Sequence, residues 1–267
     1  MISVIVVYND LSQFETMLRV SLERQRQPFE LIALDNRQGC FTSAASALNV
    51  GGRRARGEFL FFMHQDVRFE SEGWLEDAER YLQGLPDLGI AGVAGARAPI
   101  NDRERAIVVT NTEYSEPPRP AGDQVLQEVE VVDTVDECAF FVPKHVFDHF
   151  GFDERTCNHW HLYAVDLSLT LHGAGLRAYA LPLPLYHRSK GAIVQFMGFA
   201  NYKPAYFRTL RKVIRKHRAQ FDRLHTTCGS WSTRKSVLLQ QIPPRVLGNT
   251  IWAWATRRLR RAIAGRN

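Results

Sequence analysis

The sequence has no long hydrophobic run. None of its apolar stretches approaches the roughly 20 consecutive residues that a membrane-spanning helix needs. The N-terminus begins with a strand-like pattern instead of the basic region and apolar core of a signal peptide. We therefore expect a cytoplasmic protein without a membrane span.

Cysteine is also scarce, with 4 residues in a chain of 267. The cysteines are widely separated and none belongs to a CxxC pair, so a structural zinc site and a disulfide framework are not expected. They are Cys40, Cys138, Cys157 and Cys228.

A glycine-rich phosphate loop is missing after the first predicted strand. The GxGxxG pattern that contacts the pyrophosphate of a dinucleotide does not occur between this strand and the following helix. This absence argues against a dinucleotide-dependent oxidoreductase. No internal repeat or low-complexity tract is found either.

The composition is that of an ordinary folded protein, with 45% apolar and 23% charged residues. The length suits one α/β domain with a small appendage. The net charge of +6 is uneven, because residues 203–267 carry most of the excess. Any basic surface for a partner is therefore expected near the C-terminus.

The first predicted unit is a strand, a helix and a second strand. Residues 2–8 form a β-branched apolar run, and residues 30–34 predict a second strand. Strands joined by a right-handed helical crossover are parallel, so we expect their carboxyl ends to be neighbours. Asp35 would then lie beside Tyr8 and Asn9, where a carboxylate can accept hydrogen bonds from a nucleotide base or ribose. The alternative is an aspartate that only caps a turn.

An unbroken apolar run at residues 59–63 predicts a strand buried on both faces. His64, Gln65 and Asp66 follow it directly, at the carboxyl end where ligands bind in open α/β sheets. Residues two apart in an extended chain share a face, so His64 and Asp66 can bind one divalent ion together. The alternative is that they merely begin a turn.

A basic cluster precedes this strand and consists of Arg53, Arg54 and Arg56. Arginines in this place can face a diphosphate, because guanidinium groups bind phosphate oxygens in pairs. The alternative is a solvated helix face, which is where arginines usually lie.

Acidic residues stand at two further places. Asp136 and Glu137 follow a predicted strand at residues 129–135, and Asp166 begins an apolar-periodic helix. Imidazole and aromatic side chains beside an acid are typical of a sugar-binding pocket, whereas a helix N-cap is the alternative for Asp166. The side chains before Asp166 are His159, Trp160, His161 and Tyr163.

The order of these segments resembles the GT-A glycosyltransferases of family 2, which build polysaccharides from nucleotide-activated sugars. The resemblance covers about residues 1–190 and implies a GT-A fold, with a mostly parallel central sheet and helices on both faces. The segments that carry it are residues 3–9, Asp35-Asn36, residues 49–57, His64-Gln65-Asp66, residues 151–154, residues 166–169 and the strand that leads to His187.

The resemblance implies a set of site residues. His64, Gln65 and Asp66 occupy the position of the DxD motif that holds metal and diphosphate, and His187 completes the metal shell. The implied metal is Mn²⁺ or Mg²⁺. The implied donor-binding residues are Tyr8, Asn9, Asp35, Asn36, Asn49, Arg53 and Gln65.

Two departures from the family pattern concern the chemistry. The first acid of DxD is His64, and imidazole suits manganese better than magnesium. The acidic pair that usually stands before Asp166 is replaced by Tyr163-Ala164. The general base is then Asp166, which we favour, or Asp136 or Glu137, or it is absent.

The resemblance therefore implies an inverting, metal-dependent transfer of a sugar from a nucleoside diphosphate sugar to a saccharide or lipid-linked acceptor. A nucleotidyltransferase is one alternative, although residues 8–12 lack the glycine-rich basic loop that it requires. A non-catalytic nucleotide-sugar-binding or scaffold protein is the other, favoured by the loss of the acidic pair.

The chain beyond the resemblance is basic. We predict a catalytic domain at residues 1–195 and a helical extension at residues 196–267, with amphipathic helices at 206–221 and 243–264. Tryptophan and arginine in the second helix suit an anionic membrane surface, so the protein can be peripheral at the inner face of the membrane. Packing of both helices on the catalytic domain or on a second subunit is the alternative. Nucleic acid is not expected as a partner, because no reading motif surrounds the arginines.

Overall fold

The computed structural model describes residues 1–99, 107–114, 117–188, 195–196, 199–200 and 204–240. The helices are α1 (Leu11–Gln13), a π-helical segment (Phe14–Arg19), α2 (Val20–Glu23), α3 (Ala44–Arg54), α4 (Trp74–Gln83), α5 (Lys144–Phe150), α6 (Tyr163–Gly173), α7 (Pro204–His217) and α8 (Val237–Gln240). The strands are β1 (Ile2–Tyr8), β2 (Phe29–Asp35), β3 (Phe59–Met63), β4 (Val67–Phe69), β5 (Leu88–Gly92), β6 (Ala94–Arg97), β7 (Ile107–Thr110), β8 (Thr112–Tyr114), β9 (Arg119–Pro120), β10 (Glu130–Val132), β11 (Thr134–Val135), β12 (Ala139–Pro143), β13 (Arg177–Ala180), β14 (Leu185–His187), β15 (Gln195–Phe196), β16 (Phe199–Ala200), β17 (Arg223–Thr226) and β18 (Gly229–Ser232).

A seven-stranded mixed sheet forms the centre of the molecule, with the order β10-β13-β5-β12-β3-β1-β2. β1 pairs in parallel with β2 and with β3, and β5 pairs in parallel with β13. Only β10 and β12 run against the other strands of this sheet. The mostly parallel sheet expected from the sequence is confirmed.

The sheet is packed on both faces because its central strands alternate apolar side chains between two cores. In β3, Phe61 stacks on Phe141 of β12 with ring centroids 3.9 Å apart, in the core that α4 covers. Phe62 points the other way and packs on Phe140 and Phe147, in the core beneath α3, α5 and α6. This double burial explains why residues 59–63 are apolar without interruption.

The C-terminal segment packs on this second core. Helix α7 covers most of the amphipathic helix predicted at 206–221, and its side chains Leu210, Val213 and Ile214 are buried. The Thr134 hydroxyl donates to the His225 carbonyl oxygen at 2.6 Å, which joins β17 to β11. The helix predicted at 243–264 lies outside the described residues. No helix in the described part of the chain is long and apolar enough to cross a membrane.

Helix α3 approaches α5 closely at a glycine. A Cβ atom built at Gly52 would lie 2.3 Å from the Phe147 ring, which α5 holds in the core. The absence of a side chain therefore sets the distance between the two helices.

We expect Gly52→Ala to destabilise the protein by about 1–3 kcal/mol, because overpacking outweighs the helix-propensity gain of about 1 kcal/mol. Gly84→Ala is the control, since its φ is −94° and nothing lies within 3.4 Å of the added Cβ atom. Denaturant unfolding measures both variants. Equal stability of the two would contradict the close packing of α3 on α5.

Candidate functional site

The direction of β12 brings two separate segments to one edge of the sheet. Because β12 is antiparallel to β3, the residues that precede β12 lie beside those that follow β3. The backbone N–H of His64 donates to the Cys138 carbonyl oxygen at 2.8 Å. Asp136 and Glu137 are consequently close to the His64-Gln65-Asp66 turn.

A second pairing adds His187 to this edge. β14 is antiparallel to β4 with His187 opposite Val67, and the Arg188 N–H donates to the Asp66 carbonyl oxygen at 2.8 Å. His187 Nε2 lies 3.3 Å from Asp66 Oδ1 and 3.4 Å from His64 Nδ1. The ligand atoms of His64, Asp66 and His187 all lie within 4.8 Å of one another.

These three side chains fit a divalent ion. Ligand atoms that share an ion through bonds of about 2.1 Å lie about 3 Å apart, close to the two contacts of His187. Two imidazole nitrogens and one carboxylate oxygen suit a first-row ion such as Mn²⁺, whereas Mg²⁺ prefers oxygen alone. The cluster therefore offers a partial coordination shell that leaves positions for other ligands.

The lowered pKa values of His64 and Asp66 suit metal binding, whereas an ion must displace a proton from His187. Burial, with His187 nearby, lowers the pKa of His64, which keeps this imidazole neutral. Burial alone would raise the pKa of Asp66, but the hydrogen bond with His187 outweighs it and the pKa is lowered. Burial alone would lower the pKa of His187. The hydrogen bond and the negative charge of Asp66 outweigh this effect, so the pKa of His187 is raised.

The carboxylate of Glu137, a residue of the loop before β12, lies against the N-terminus of α6. Its Oε1 accepts from the Tyr163 N–H at 2.7 Å, and the N–H groups of Leu162 and Ala164 also point at the carboxylate. Leu162 has a left-handed φ of 65°, an unusual conformation for leucine. Burial, followed by the charge of Asp136, raises the pKa of Glu137 to about 8.

The neighbouring Asp136 is held by two donors. The Cys138 N–H donates to Oδ1 at 2.9 Å, and the Thr227 hydroxyl donates to Oδ2 at 2.5 Å. Burial acts to raise its pKa, but these hydrogen bonds and His187 lower it. No pattern in the sequence indicates a role for Thr227, which lies in the segment beyond the family resemblance.

Asp166 is enclosed between α6 and α7. Its Oδ1 lies 2.8 Å from His217 Nε2, its Oδ2 accepts from Lys216 Nζ at 2.7 Å, and its side chain is 3% exposed. A general base needs an oxygen within reach of the acceptor hydroxyl. The sequence favoured Asp166 for this role, whereas in the fold both of its oxygens are occupied by side chains of α7.

The donor-binding residues at the ends of β1 and β2 lie together. Tyr8 is opposite Asp35 in the parallel register. The Gln65 amide oxygen accepts from the N–H groups of Asn9 and Asp10 at 2.9 and 3.0 Å, which joins this edge to the His64 turn. Hydrogen bonds from Arg37 lower the pKa of Asp35 to about 2.

Two asparagines in the implied donor set have structural contacts. The Asn36 side chain donates to the Phe41 carbonyl oxygen at 3.1 Å and accepts from the Phe41 N–H at 2.7 Å. These two bonds hold the loop between residues 36 and 41. Asn49 exchanges hydrogen bonds of 2.9 Å with the backbone of Phe152 and is 6% exposed. Their side chains hold loops beside the site.

The position of Arg53 does not favour its assignment to the diphosphate. Arg53 is exposed in the last turn of α3, and α3 runs from the carboxyl end of β2 back to the start of β3. The adjacent Arg56 pairs with Glu30 at the beginning of β2, at 2.8 Å. The arginines therefore face the edge opposite His64, because a helical crossover reverses the chain direction.

The sequence matches the model of the glycosyltransferase-like family over residues 3–185. The chain belongs to this family. The match runs from β1 to the first residue of β14, so it includes the His64-Gln65-Asp66 turn, Glu137 and Asp166 and ends just before His187. No curated protein matches the chain.

Solved structures show the same fold in other glycosyltransferases. The mannosyltransferase PcManGT from Pyrobaculum calidifontis, in complex with GDP-Man and Mn²⁺, is 15% identical with a TM-score of 0.51, covering 82% of this chain and 64% of that one. GalNAc-T7 with UDP, GalNAc and Mn²⁺ is 9% identical with a TM-score of 0.55, covering 80% and 47%. Residues 1–349 of S. aureus TarS in complex with UDP-GlcNAc are 15% identical with a TM-score of 0.51, covering 80% and 66%. The chain thus spans less than two thirds of the length of each of these structures.

We expect Asp166→Asn to destabilise the protein by about 3 kcal/mol, because it leaves the buried His217, and the partly exposed Lys216 beside it, without their carboxylate. Asp153→Asn is the matched control, since Asp153 also binds Lys216, at 3.0 Å, but is 33% exposed, and should cost about 1 kcal/mol or less. Denaturant unfolding compares the two. An Asp166→Asn protein of unchanged stability that loses turnover would restore Asp166 as the base.

Proposed function

We propose that this glycosyltransferase-like protein transfers a sugar, with inversion, from a nucleoside diphosphate sugar to an acceptor hydroxyl, using a divalent ion. The observation that carries the proposal is the convergence of His64, Asp66 and His187 at the strand edge beside Glu137. The similar structures give support, since PcManGT was solved with GDP-Man and Mn²⁺ and GalNAc-T7 with UDP, GalNAc and Mn²⁺.

In this proposal the ion is held by His64 Nδ1, Asp66 and His187 Nε2, and when bound it supplies positive charge for the diphosphate leaving group. Mn²⁺ is favoured over Mg²⁺ by the two imidazoles. Asp35 and Tyr8 would contact the nucleoside at the ends of β1 and β2. Gln65 fixes the position of the carboxyl end of β1 relative to the proposed ion, because its amide oxygen accepts hydrogen bonds from Asn9 and Asp10.

Glu137 is the proposed general base. A base is most effective when its pKa lies near the working pH, and a pKa of about 8 meets this condition better than the lowered pKa of Asp136. Asp136 has a different role in this scheme, since its negative charge helps to keep the pKa of Glu137 high. The hypothesis of a non-catalytic homologue loses its main support if Glu137 replaces the acid missing at Tyr163-Ala164.

The acceptor is proposed to be a saccharide or a lipid-linked saccharide. Trp160, in the loop before α6, is 41% exposed and offers an aromatic face on which a sugar ring can pack. The cytoplasmic location, and the membrane contact predicted for residues 243–264, stay predictions from the sequence.

We expect Asp66→Ala to abolish metal-dependent nucleotide binding, because it removes the only carboxylate of the His64-Asp66-His187 cluster. Thermal shifts with UDP and with GDP, each with and without Mn²⁺, measure this, since a ligand at about 100 times its dissociation constant adds about 2.7 kcal/mol. Asp77→Ala, on the exposed side of α4, is the control. Unchanged metal dependence in Asp66→Ala would show that the ion is bound elsewhere.

We expect Glu137→Gln to retain donor and Mn²⁺ binding while turnover falls by about two to four powers of ten, the usual contribution of a positioned base. In the wild type the base must be ionised, so kcat/KM should rise with pH and level off above about 8. Glu137→Gln should lose this rise. Full turnover in Glu137→Gln would transfer the role to Asp136.

A further inference from the structure

The two departures from the family pattern are in contact. His64 replaces the first acid of the DxD motif, and Tyr163 stands where the usual acidic pair begins. In the fold the Tyr163 hydroxyl lies 3.2 Å from His64 Nε2. The same hydroxyl lies 3.3 Å from the carbonyl oxygen of Glu137.

These contacts determine where the proton of His64 resides. A carbonyl oxygen can only accept, so the single proton of the Tyr163 hydroxyl goes to Glu137. The hydroxyl oxygen must then accept from His64, which places the imidazole proton on Nε2. His64 Nδ1 is left with a free lone pair, and this is the nitrogen that faces His187 at 3.4 Å.

Tyr163 is itself held firmly. It is the first residue of α6 and is 5% exposed. Its ring packs edge-on against Phe152, with centroids 5.8 Å apart, and against Phe140, at 6.1 Å. Its hydroxyl therefore has a fixed position from which to orient the imidazole.

We propose that Tyr163 is a positioning residue for the metal site, because it selects the Nε2–H tautomer of His64 and aims Nδ1 at the ion. The proposal rests on the proposed metal site of His64, Asp66 and His187. A carboxylate ligand at position 64 would have no tautomer to select, whereas an imidazole ligand usually needs a partner for its second nitrogen.

The test measures Mn²⁺ affinity by calorimetry on the full chain in the presence of UDP. Tyr163→Phe removes only the hydroxyl, and we expect Mn²⁺ affinity to fall about 10–100-fold, as for other partners of ligating histidines. Tyr179→Phe is the matched control, because this tyrosine is 4% exposed and its hydroxyl donates to the Pro86 carbonyl oxygen at 2.7 Å, away from the cluster. Its Mn²⁺ affinity should equal that of the wild type.

A double-mutant cycle separates positioning from a general effect on α6. With His64→Asp as the background, Tyr163→Phe should change Mn²⁺ affinity less than about twofold, since no imidazole remains to be oriented. Equal losses in both backgrounds would overturn the proposal. No Mn²⁺ binding by the wild type would overturn the metal site and this proposal together, whereas equal binding by wild type and Tyr163→Phe would overturn this proposal alone.

A second measurement does not depend on any variant. Nitrogen-15 NMR distinguishes the two neutral tautomers of a histidine ring, and the wild-type protein without metal should show His64 protonated on Nε2. A His64 ring protonated on Nδ1 would overturn the proposal.

Discussion

The antiparallel course of β12 is the constraint on which the site depends. In a sheet whose other central strands are parallel, the segment before a parallel strand lies at the edge opposite the site. β12 reverses this arrangement between β3 and β5, so Asp136 and Glu137 arrive at the carboxyl end of β3. The two acids that precede this buried five-residue strand therefore lie at the edge of the sheet where the parallel strands end.

Much of the fold could be predicted because its signals are local. The run at residues 59–63 is apolar since both faces of β3 are buried, and the polar turn that follows was assigned to the correct edge. The distance of Arg53 from His64 could not be predicted, because proximity to β3 in the sequence does not indicate which end of the crossover helix faces the site. Glu137 was offered only as an alternative, because the strand direction that places it depends on pairing between distant residues.

The buried acids were the hardest part of the site to rank. Asp166 matches a family segment, yet its two oxygens are used by residues of α7, which lie 50 and 51 positions later in the chain. No sequence pattern near Asp166 predicts its contacts with Lys216 and His217. Conversely, Glu137 gains its raised pKa from burial and from Asp136, which are consequences of packing. The residue types are visible in the sequence, but the environment that distinguishes one carboxylate from another is not.

The hydrogen bond from Thr227 to Asp136 links the site to a part of the chain that the family model does not include. The match ends at residue 185, whereas His187, Lys216, His217 and Thr227 all contact acids within or beside the site or α6. The contacts that support the site therefore extend beyond the segment that the family model matches. A fragment that ends at the family boundary would keep nearly every recognisable motif, yet Asp136 would lose Thr227 and Asp166 would lose both Lys216 and His217.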